Sequence, residues 1–404
     1  MNHAIIIGTV FPEPNSTAAG TRMLQLIKLL QDHHYQITFF STANPSDFSF
    51  DLATLNVQMK HTLLNDASFD KDIQNINPQL VIFDRFTIEE QFGWRVSKAC
   101  PDAITILDTE DLHFLRKARE NAYKQRRELI PTDLISEVFK RELASIHRCD
   151  LSLIISEYEM NLLTSQFKIN PDILFYLPLF SENSSSKLPF AERKHFISIG
   201  NFLHEPNWQT VLKLKELWQS IHKALPQAEL HIYGAYPPPK ALQLHNEREK
   251  FLIKGRAESV EEVFSKARVL LAPIPFGAGI KGKLLDAMQY GLPSVTSTIG
   301  AEGMHNQLNW NGYIEDEMPN FTEKAILLYS DENLWNTAQS KGFSIIKKRF
   351  LKDNFSKSFS EKIYHLRNQL PAHRLNNFWG QILQHHTLQS SKYMGKWIEE
   401  KNKK

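Results

Sequence analysis

An α/β protein of two doubly wound, mostly parallel-sheet domains facing an interdomain cleft is what the sequence predicts. Short apolar runs of strand length recur along the chain, helical or irregular stretches separate them, and a polar, serine-rich segment splits the series in two. A chain of 404 residues with 42% hydrophobic content exceeds one ordinary core and can fill two.

The elements follow in order. "HAIIIG" (3–8) reads as a buried strand, "TVFPEPNSTAAG" as a loop, and "GTRMLQLIKLLQDHH" as a helix whose Met23, Leu26, Ile27 and Leu30 share one face. "QITFFST" (36–42), "QLVIFDRF" (79–86), "AITILDTE" (103–110) and "DLSLIIS" (150–156) continue the strand series. The composition breaks at 180–194, "FSENSSSKLPFAERK", where serine and proline suit a linker. Beyond it "HFISIGN", "AELHIYG", "KFLIKGR", "ARVLLAPI" and "LPSVTST" repeat the alternation, residues 322–350 and 354–370 are helical in pattern, and 377–404 form an aromatic, mixed-charge extension. The expected division is an N-terminal domain (1–180), a linker (181–194), a second domain (195–350), and C-terminal helices and tail (351–404) that partly pack back on the first domain.

A formal net charge of +2 offers no global basic field, so no nucleic-acid partner is expected. Cys100 and Cys149 alone cannot build a disulfide framework, which fits a reducing compartment. The N-terminal apolar run has strand length and lacks the charged flank and long apolar core of a signal peptide, and no apolar stretch reaches bilayer length. A cytoplasmic protein, free or peripheral at the inner face of the membrane, is expected.

The most informative stretch is "FGAGIKGKLLDAMQYGLPSVTSTIGAEG" (276–303). Its glycine-rich start follows the apolar "ARVLLAPIPF", which places it at the C-terminal end of a buried strand, with a helix opening at "KGKLLDAMQY" and ending at Gly291 as a left-handed cap. Glycines ahead of a helix let backbone amides approach a ligand, and the helix dipole favours an anion there. Leu284, Leu285 and Met288 cluster on one side, leaving Lys283 and Asp286 about a turn apart on the other. A cation for phosphates and a carboxylate for ribose hydroxyls together describe a nucleotide diphosphate. A glycine-rich turn with solvated lysines fits the same residues equally. Gly277, Gly279 and Gly282 have dinucleotide spacing outside the first strand-to-helix unit where that fingerprint belongs, and Leu284 after Lys283 excludes a P-loop ending.

These residues resemble the GT-B glycosyltransferases and, among them, glycosyltransferase family 4, the retaining group 1 transferases. The likeness runs from "FISIGNFLHEPNWQTVLKLKELW" through "AELHIYG" to "FLIKGRAESVEEVFSKARVLLAPIPFGAGIKGKLLDAMQYGLPSVTSTIGAEGM". The first half is similar to the acceptor domain more loosely, through Gly20 before its first helix and "LDTEDLHFLRKARE". The resemblance implies a GT-B fold and a nucleotide diphosphate sugar donor held by Gly20, Gly200, Asn201, the base-reading loop at Gly255, Arg256 and Ala257, and by Gly279, Ile280, Lys281, Gly282, Lys283 and Asp286. It implies catalytic roles for His113 and for Lys283, the latter stabilising the leaving diphosphate together with Lys281 and the loop amides. In the family's Glu-x7-Glu motif Asp286 stands at the second glutamate, which holds ribose, and Ala278 at the first, which contacts the donor sugar. Loss of that first carboxylate departs from the pattern, as it does in a subgroup with a similar loop. Plainer readings accompany these residues: Asp108 or Asp111 caps the following helix, Gly200 ends a strand, and His113 is one of 16 histidines.

No HExxH, CxxC or DxD-like cluster stands in a convincing context, so no metal or other cofactor is expected beside the donor substrate. The implied acceptor is a glycan or a lipid-linked or other glycoconjugate. The run "LRKARENAYKQRREL" (115–129), six Lys or Arg against two Glu, permits contact with anionic head groups and reads more simply as a solvated, ion-paired face. Trp379, Tyr393 and Trp397, with Lys396, Lys401, Lys403 and Lys404, permit interfacial anchoring, packing on a domain, or contact with another subunit; the oligomeric state is not legible. Two other functions fit the same pocket: a nucleotide-sugar epimerase of GT-B shape, and a non-catalytic nucleotide-sugar-binding relative, supported mainly by Ala278.

Overall fold

Apolar strands separated by helices wind, in the first half, into a seven-stranded sheet with every pair parallel: β1 (Asn2–Gly8), β2 (Tyr35–Ser41), β3 (Gln58–His61), β4 (Leu80–Asp84), β5 (Ile104–Asp108), β6 (Leu151–Ile154) and β7 (Leu174–Tyr176). The computed structural model describes residues 2–181 and 188–403, except for the side chains of 386–389; part of the expected linker (182–187) and Lys404 lie outside the described residues. The strand order is β3-β2-β1-β4-β5-β6-β7, and β1 sits centrally with Ile6 opposite Phe39 on one side and Ile82 on the other. Helices α1 (Ala18–Asp32), α2 (Ser68–Ile76), α3 (Phe86–Ala99), α4 (His113–Lys124), α5 (Glu137–Arg148) and α6 (Glu157–Asn161) connect these strands. Apolar residues of both sheet faces are buried in two clusters, one under α1 and one under α3, α4 and α5. The predicted face of α1, Met23, Leu26, Ile27 and Leu30, lies in the first of these, and Thr17 caps the helix by accepting from the Gly20 amide.

The second half repeats the plan with six parallel strands: β8 (Lys194–Ile199), β9 (Leu230–Tyr233), β10 (Phe251–Gly255), β11 (Ala267–Ala272), β12 (Ser294–Thr296) and β13 (Gly312–Ile314), ordered β10-β9-β8-β11-β12-β13. Its helices are α7 (Glu205–Ala224), α8 (Pro239–Leu242), α9 (Val260–Lys266), α10 (Gly282–Gln289), α11 (Thr298–Ala301), α12 (Met318–Ser330) and α13 (Glu332–Arg349). Trp218 and Trp335 are fully buried here, and each satisfies its indole N–H on a backbone carbonyl, of Glu249 and Arg268 respectively.

Three strands escape the sequence pattern. β3, "QMKH", is a polar, mostly exposed edge without alternation, and β7 and β13 have three residues each. The basic helix is shorter than its composition suggests, because α4 stops at Lys124 and Arg126 turns left-handed.

The chain then returns to the first sheet. α14 (Asp353–Asn376) buries Phe359, Ile363, Leu366 and Leu370 in the cluster under α1, and α15 (Phe378–Asn402) packs along α5 and α3. Arg374 anchors the turn between them: its Nε and Nη2 donate to the two oxygens of the buried Asp150 carboxylate (2.8 Å each), and Nη2 also donates to the Ala103 carbonyl at 2.8 Å. Among the described residues no helix is long and apolar enough to cross a membrane. Arg374→Ala leaves Asp150 short of its cation and is expected to lower stability by about 2 kcal/mol, read as a fall of several degrees in the thermal unfolding midpoint.

Candidate functional site

In open parallel sheets a ligand crevice forms where the strand order reverses, beyond the carboxyl ends of the strands. In the second sheet that point lies between β8 and β11. Gly200 follows β8, the glycine-rich loop follows β11, and α10 begins at Gly282, so the two segments meet. Lys283 Nζ donates to Asn207 Oδ1 at 2.7 Å, and a Cβ added to Gly200 would lie 2.7 Å from the same nitrogen. Gly200, Asn207, Tyr233 and Lys283 line one small hollow. Lys281 Nζ folds back to donate to the carbonyls of Ala278 (3.1 Å) and Gly279 (2.8 Å). Among the described residues no side chain caps the start of α10, and an uncapped helix start favours an anion.

The electrostatics of this corner are unbalanced. Burial, with Lys281 adding repulsion, pushes the Lys283 ammonium down to about 7. Burial likewise pushes Lys281 down to about 8, against the pull of Glu302. One turn along α10, burial pushes the Asp286 carboxyl up to about 7. Lys283 and Asp286 share the helix face opposite Leu284, Leu285 and Met288, which are buried in the core.

The first domain presses on the glycine loop directly. Glu159, fully buried on α6, accepts from the Gly279 amide (2.8 Å) and from the Leu112 amide (2.9 Å), which ties the loop to the β5–α4 connection. Burial, followed by the nearby Asp111, pushes the Glu159 carboxyl up to about 8. Gly279 has φ +64°, and a Cβ there would meet the Asp111 Cβ at 2.9 Å, so conformation and space both require glycine. Arg119 of α4 completes the closure: it donates to the Gly277 carbonyl (2.7 Å) and clasps Glu302 with two bonds of 2.7 Å. Ile280 packs in one apolar cluster with Ile155 and Leu179 of the first half.

His113 opens α4 with Nδ1 3.1 Å from the Asp111 carbonyl and 3.4 Å from carboxylate oxygens of Asp111 and Glu142, and its ring edge meets Phe86. Neither Asp108 nor Asp111 caps this helix by its side chain. Glu142 of α5 does, accepting from the amides of His113 (3.1 Å) and Phe114 (2.9 Å), while Asp108 is clasped by Arg22. Beside them Glu110 has φ +63°, and burial, with Asp108 close by, pushes its carboxyl up to about 8. Arg116 reaches across to His204, at the start of α7 (3.2 Å).

The remaining candidates spread along the same seam. Asn201 uses its side-chain oxygen on the Leu203 amide (2.8 Å) and its carbonyl on Asn207 (3.0 Å). Gly255 ends β10 with φ +72°, and Arg256 lies over the Phe48 ring, whose edge meets Tyr236. Gly20 packs on the backbone of Glu13, and the Glu13 carboxylate accepts from the Tyr236 hydroxyl at 3.1 Å. Lys281, Lys283, Gly200 and Asn201 thus gather at one corner; Gly255 and Arg256 stand at the neighbouring strand end, and Gly20 and His113 on the opposing domain. Asn207, Glu159, Arg119 and Glu302 escape sequence reasoning. Each acts through a contact with a residue distant in sequence, and only the place of Glu159 just after an apolar strand hinted at a site.

Residues 193–331 match the family model described as "Glycosyl transferases group 1". No curated protein matches the sequence significantly. Solved structures are similar over nearly the whole chain: Anabaena HepE in complex with UDP and glucose (TM-score 0.68, 13% identity, 91% of this chain and 100% of that one) and an S. aureus TarM mutant in complex with fondaparinux, alpha-GlcNAc-glycerol and UDP (0.66, 10%, 91% and 100%). The pneumococcal O-GlcNAc transferase GtfA in complex with UDP and GlcNAc is a third (0.66, 13%, 90% and 99%). The fold is GT-B. In this GT-B chain the matched region contains the switch point and both lysines, and the Arg119 clasp closes the two halves upon it. A double-mutant cycle of Arg119→Ala and Glu302→Ala is expected to give a coupling of about 2 kcal/mol in chemical unfolding, since either change alone strands a largely buried partner.

Proposed function

We propose that the protein is a retaining glycosyltransferase that moves a sugar from a nucleotide diphosphate sugar to a glycan, lipid-linked or other glycoconjugate acceptor without a metal ion. The observation that carries this reading is the desolvated pair Lys281 and Lys283 beside the uncapped start of α10, at the switch point of the region that matches the group 1 model. The diphosphate sits against the two ammoniums, Asp286 accepts from ribose hydroxyls, and the Gly255–Ala257 loop meets the base. Negative charge grows on the leaving diphosphate as the sugar bond breaks, and preorganised amides and ammoniums stabilise it most in the transition state. The Arg119 clasp and the Gly279–Glu159 bond hold the loop against the first domain, which keeps water from the reacting carbon. His113 faces the acceptor side. With Nδ1–H donated to the Asp111 carbonyl, its Nε2 is left to accept a hydrogen bond from a hydroxyl.

UDP, GDP, ADP and TDP at millimolar concentration provide the first test. At least one is expected to raise the melting temperature by several degrees, since saturation at a hundredfold Kd adds about 2.7 kcal/mol. A folded protein that ignores all four contradicts the donor site. Lys283→Ala is expected to weaken the responding nucleotide about tenfold to a hundredfold and Asp286→Asn about tenfold, measured by calorimetry. Ala278, buried where the family has a sugar-binding carboxylate, supports a second reading as a non-catalytic binder. That reading predicts nucleotide binding without release or transfer of sugar from any nucleotide sugar.

A further inference from the structure

An ordinary surface helix turns its apolar side inward, and α15 does the reverse. Its inner face is set by Gly380 and Gly395, where an added Cβ would lie 2.2 Å from the His147 carbonyl and 3.2 Å from the Trp94 ring, so glycine lets the helix lie flat on the first domain. Gln384 donates to the Arg148 carbonyl at 2.8 Å, and Glu399 pairs inward with the buried Arg95. The outer face carries Phe378, Trp379, Tyr393, Met394 and Trp397, each 61–63% exposed. At 100° per residue Trp379 and Trp397, eighteen positions apart, point the same way, with Tyr393 and Met394 to either side. The stripe continues onto the neighbouring loop: Leu63 and Leu64 are exposed there, and Asn65 lies 3.5 Å from the Cβ position of Gly395.

The charges beside the stripe are mainly positive. Glu399 is spent inward on Arg95, Glu400 is paired with Lys403 at 3.0 Å, and Lys396 and Lys401 remain exposed along the helix. The basic run at 115–129 offers no rival surface, because Arg116, Lys117, Arg119, Lys124 and Arg127 are engaged by Asp111, Glu120, Glu302 and Asp133.

We propose that the outer face of α15, with the Leu63–Leu64 loop, docks the protein on the surface of an anionic bilayer. Tryptophan and tyrosine favour the boundary between head groups and acyl chains, where an apolar ring and a polar edge are both satisfied. Lysines beside them draw in anionic head groups, whereas a second copy would set lysine against lysine. The helix, at about 1.5 Å per residue, lies in the membrane plane and does not cross it.

The test uses the full chain and vesicles of phosphatidylcholine, alone or mixed with phosphatidylglycerol, separated by sedimentation. The expected result is binding to the anionic vesicles that exceeds binding to the neutral ones, and an affinity about tenfold or more lower for the triple variant Trp379→Ser, Tyr393→Ser, Trp397→Ser. Lys396→Glu with Lys401→Glu is expected to abolish the preference for anionic lipid. These side chains are exposed, so an unchanged melting temperature shows that each variant is folded. Wild-type protein that stays in the supernatant overturns the proposal, as does binding indifferent to the tryptophan substitutions. A dimer in sedimentation velocity that the serine variant dissolves, without vesicle binding, assigns the face to a second copy instead.

Discussion

The site rests on a constraint at the start of α10, where two ammonium groups are half-buried and, among the described residues, no carboxylate is hydrogen-bonded to either. Lys281 is satisfied by carbonyl oxygens and feels the charge of Glu302, a carboxylate already clasped by Arg119, while Lys283 has an amide oxygen as its partner and only Lys281 as a charged neighbour. Burial on this scale is tolerated because the same corner is where the sheet order reverses and helix and strand ends converge. Lys283 has its folded value lowered, so it stabilises the fold fully only above its unfolded value of 10.5 and loses that contribution as pH falls through about 7. Asp286 has its folded value raised, so its contribution is complete below 3.8 and lost as pH rises through about 7. Near neutrality both groups weigh on the fold at once. An anion at the lysines and hydroxyl donors at the carboxylate relieve both.

Closure of the two halves follows from the same loop. Gly279 can turn left-handed and sit against Asp111 only because it has no side chain, and its amide then reaches Glu159 in the other half. Arg119 grips the carbonyl of Gly277 two residues earlier and Glu302 beyond α11, so one helix of the first domain fixes both borders of the loop. Left-handed Glu110, with its carboxyl pushed up by burial, stands across the gap; strain in a non-glycine residue at a strand end is characteristic of places where a ligand must be approached closely.

Much of this was legible in the sequence, and the reasons are local. The strand series, the α1 face and the α10 boundaries with Gly291 as left-handed cap all depend on near neighbours, and the structure agrees in each case within a few residues. The GT-B arrangement was legible through the resemblance of the second half. β3, β7 and β13 were not, because they are short or polar and are fixed by pairing with a neighbouring strand. The cap of α4 was misread for the same reason: two nearby aspartates were the natural candidates, and a glutamate 29 residues from His113 does the work. Glu159, Arg119 and Asn207 hold the corner together by contacts over 76 to 183 positions, a range at which sequence alone has no signal.

The central claim is that Lys283 waits, partly uncharged, for an anion. Calorimetry of the responding nucleotide diphosphate at pH 8, run in two buffers of different ionisation enthalpy, measures the protons that accompany binding. The account predicts net uptake of about one proton or more, because the incoming diphosphate restores charge that burial suppresses on Lys283 and in part on Lys281, and predicts that Lys283→Ala removes most of it. Binding without proton uptake, or with uptake unchanged in the variant, would contradict it.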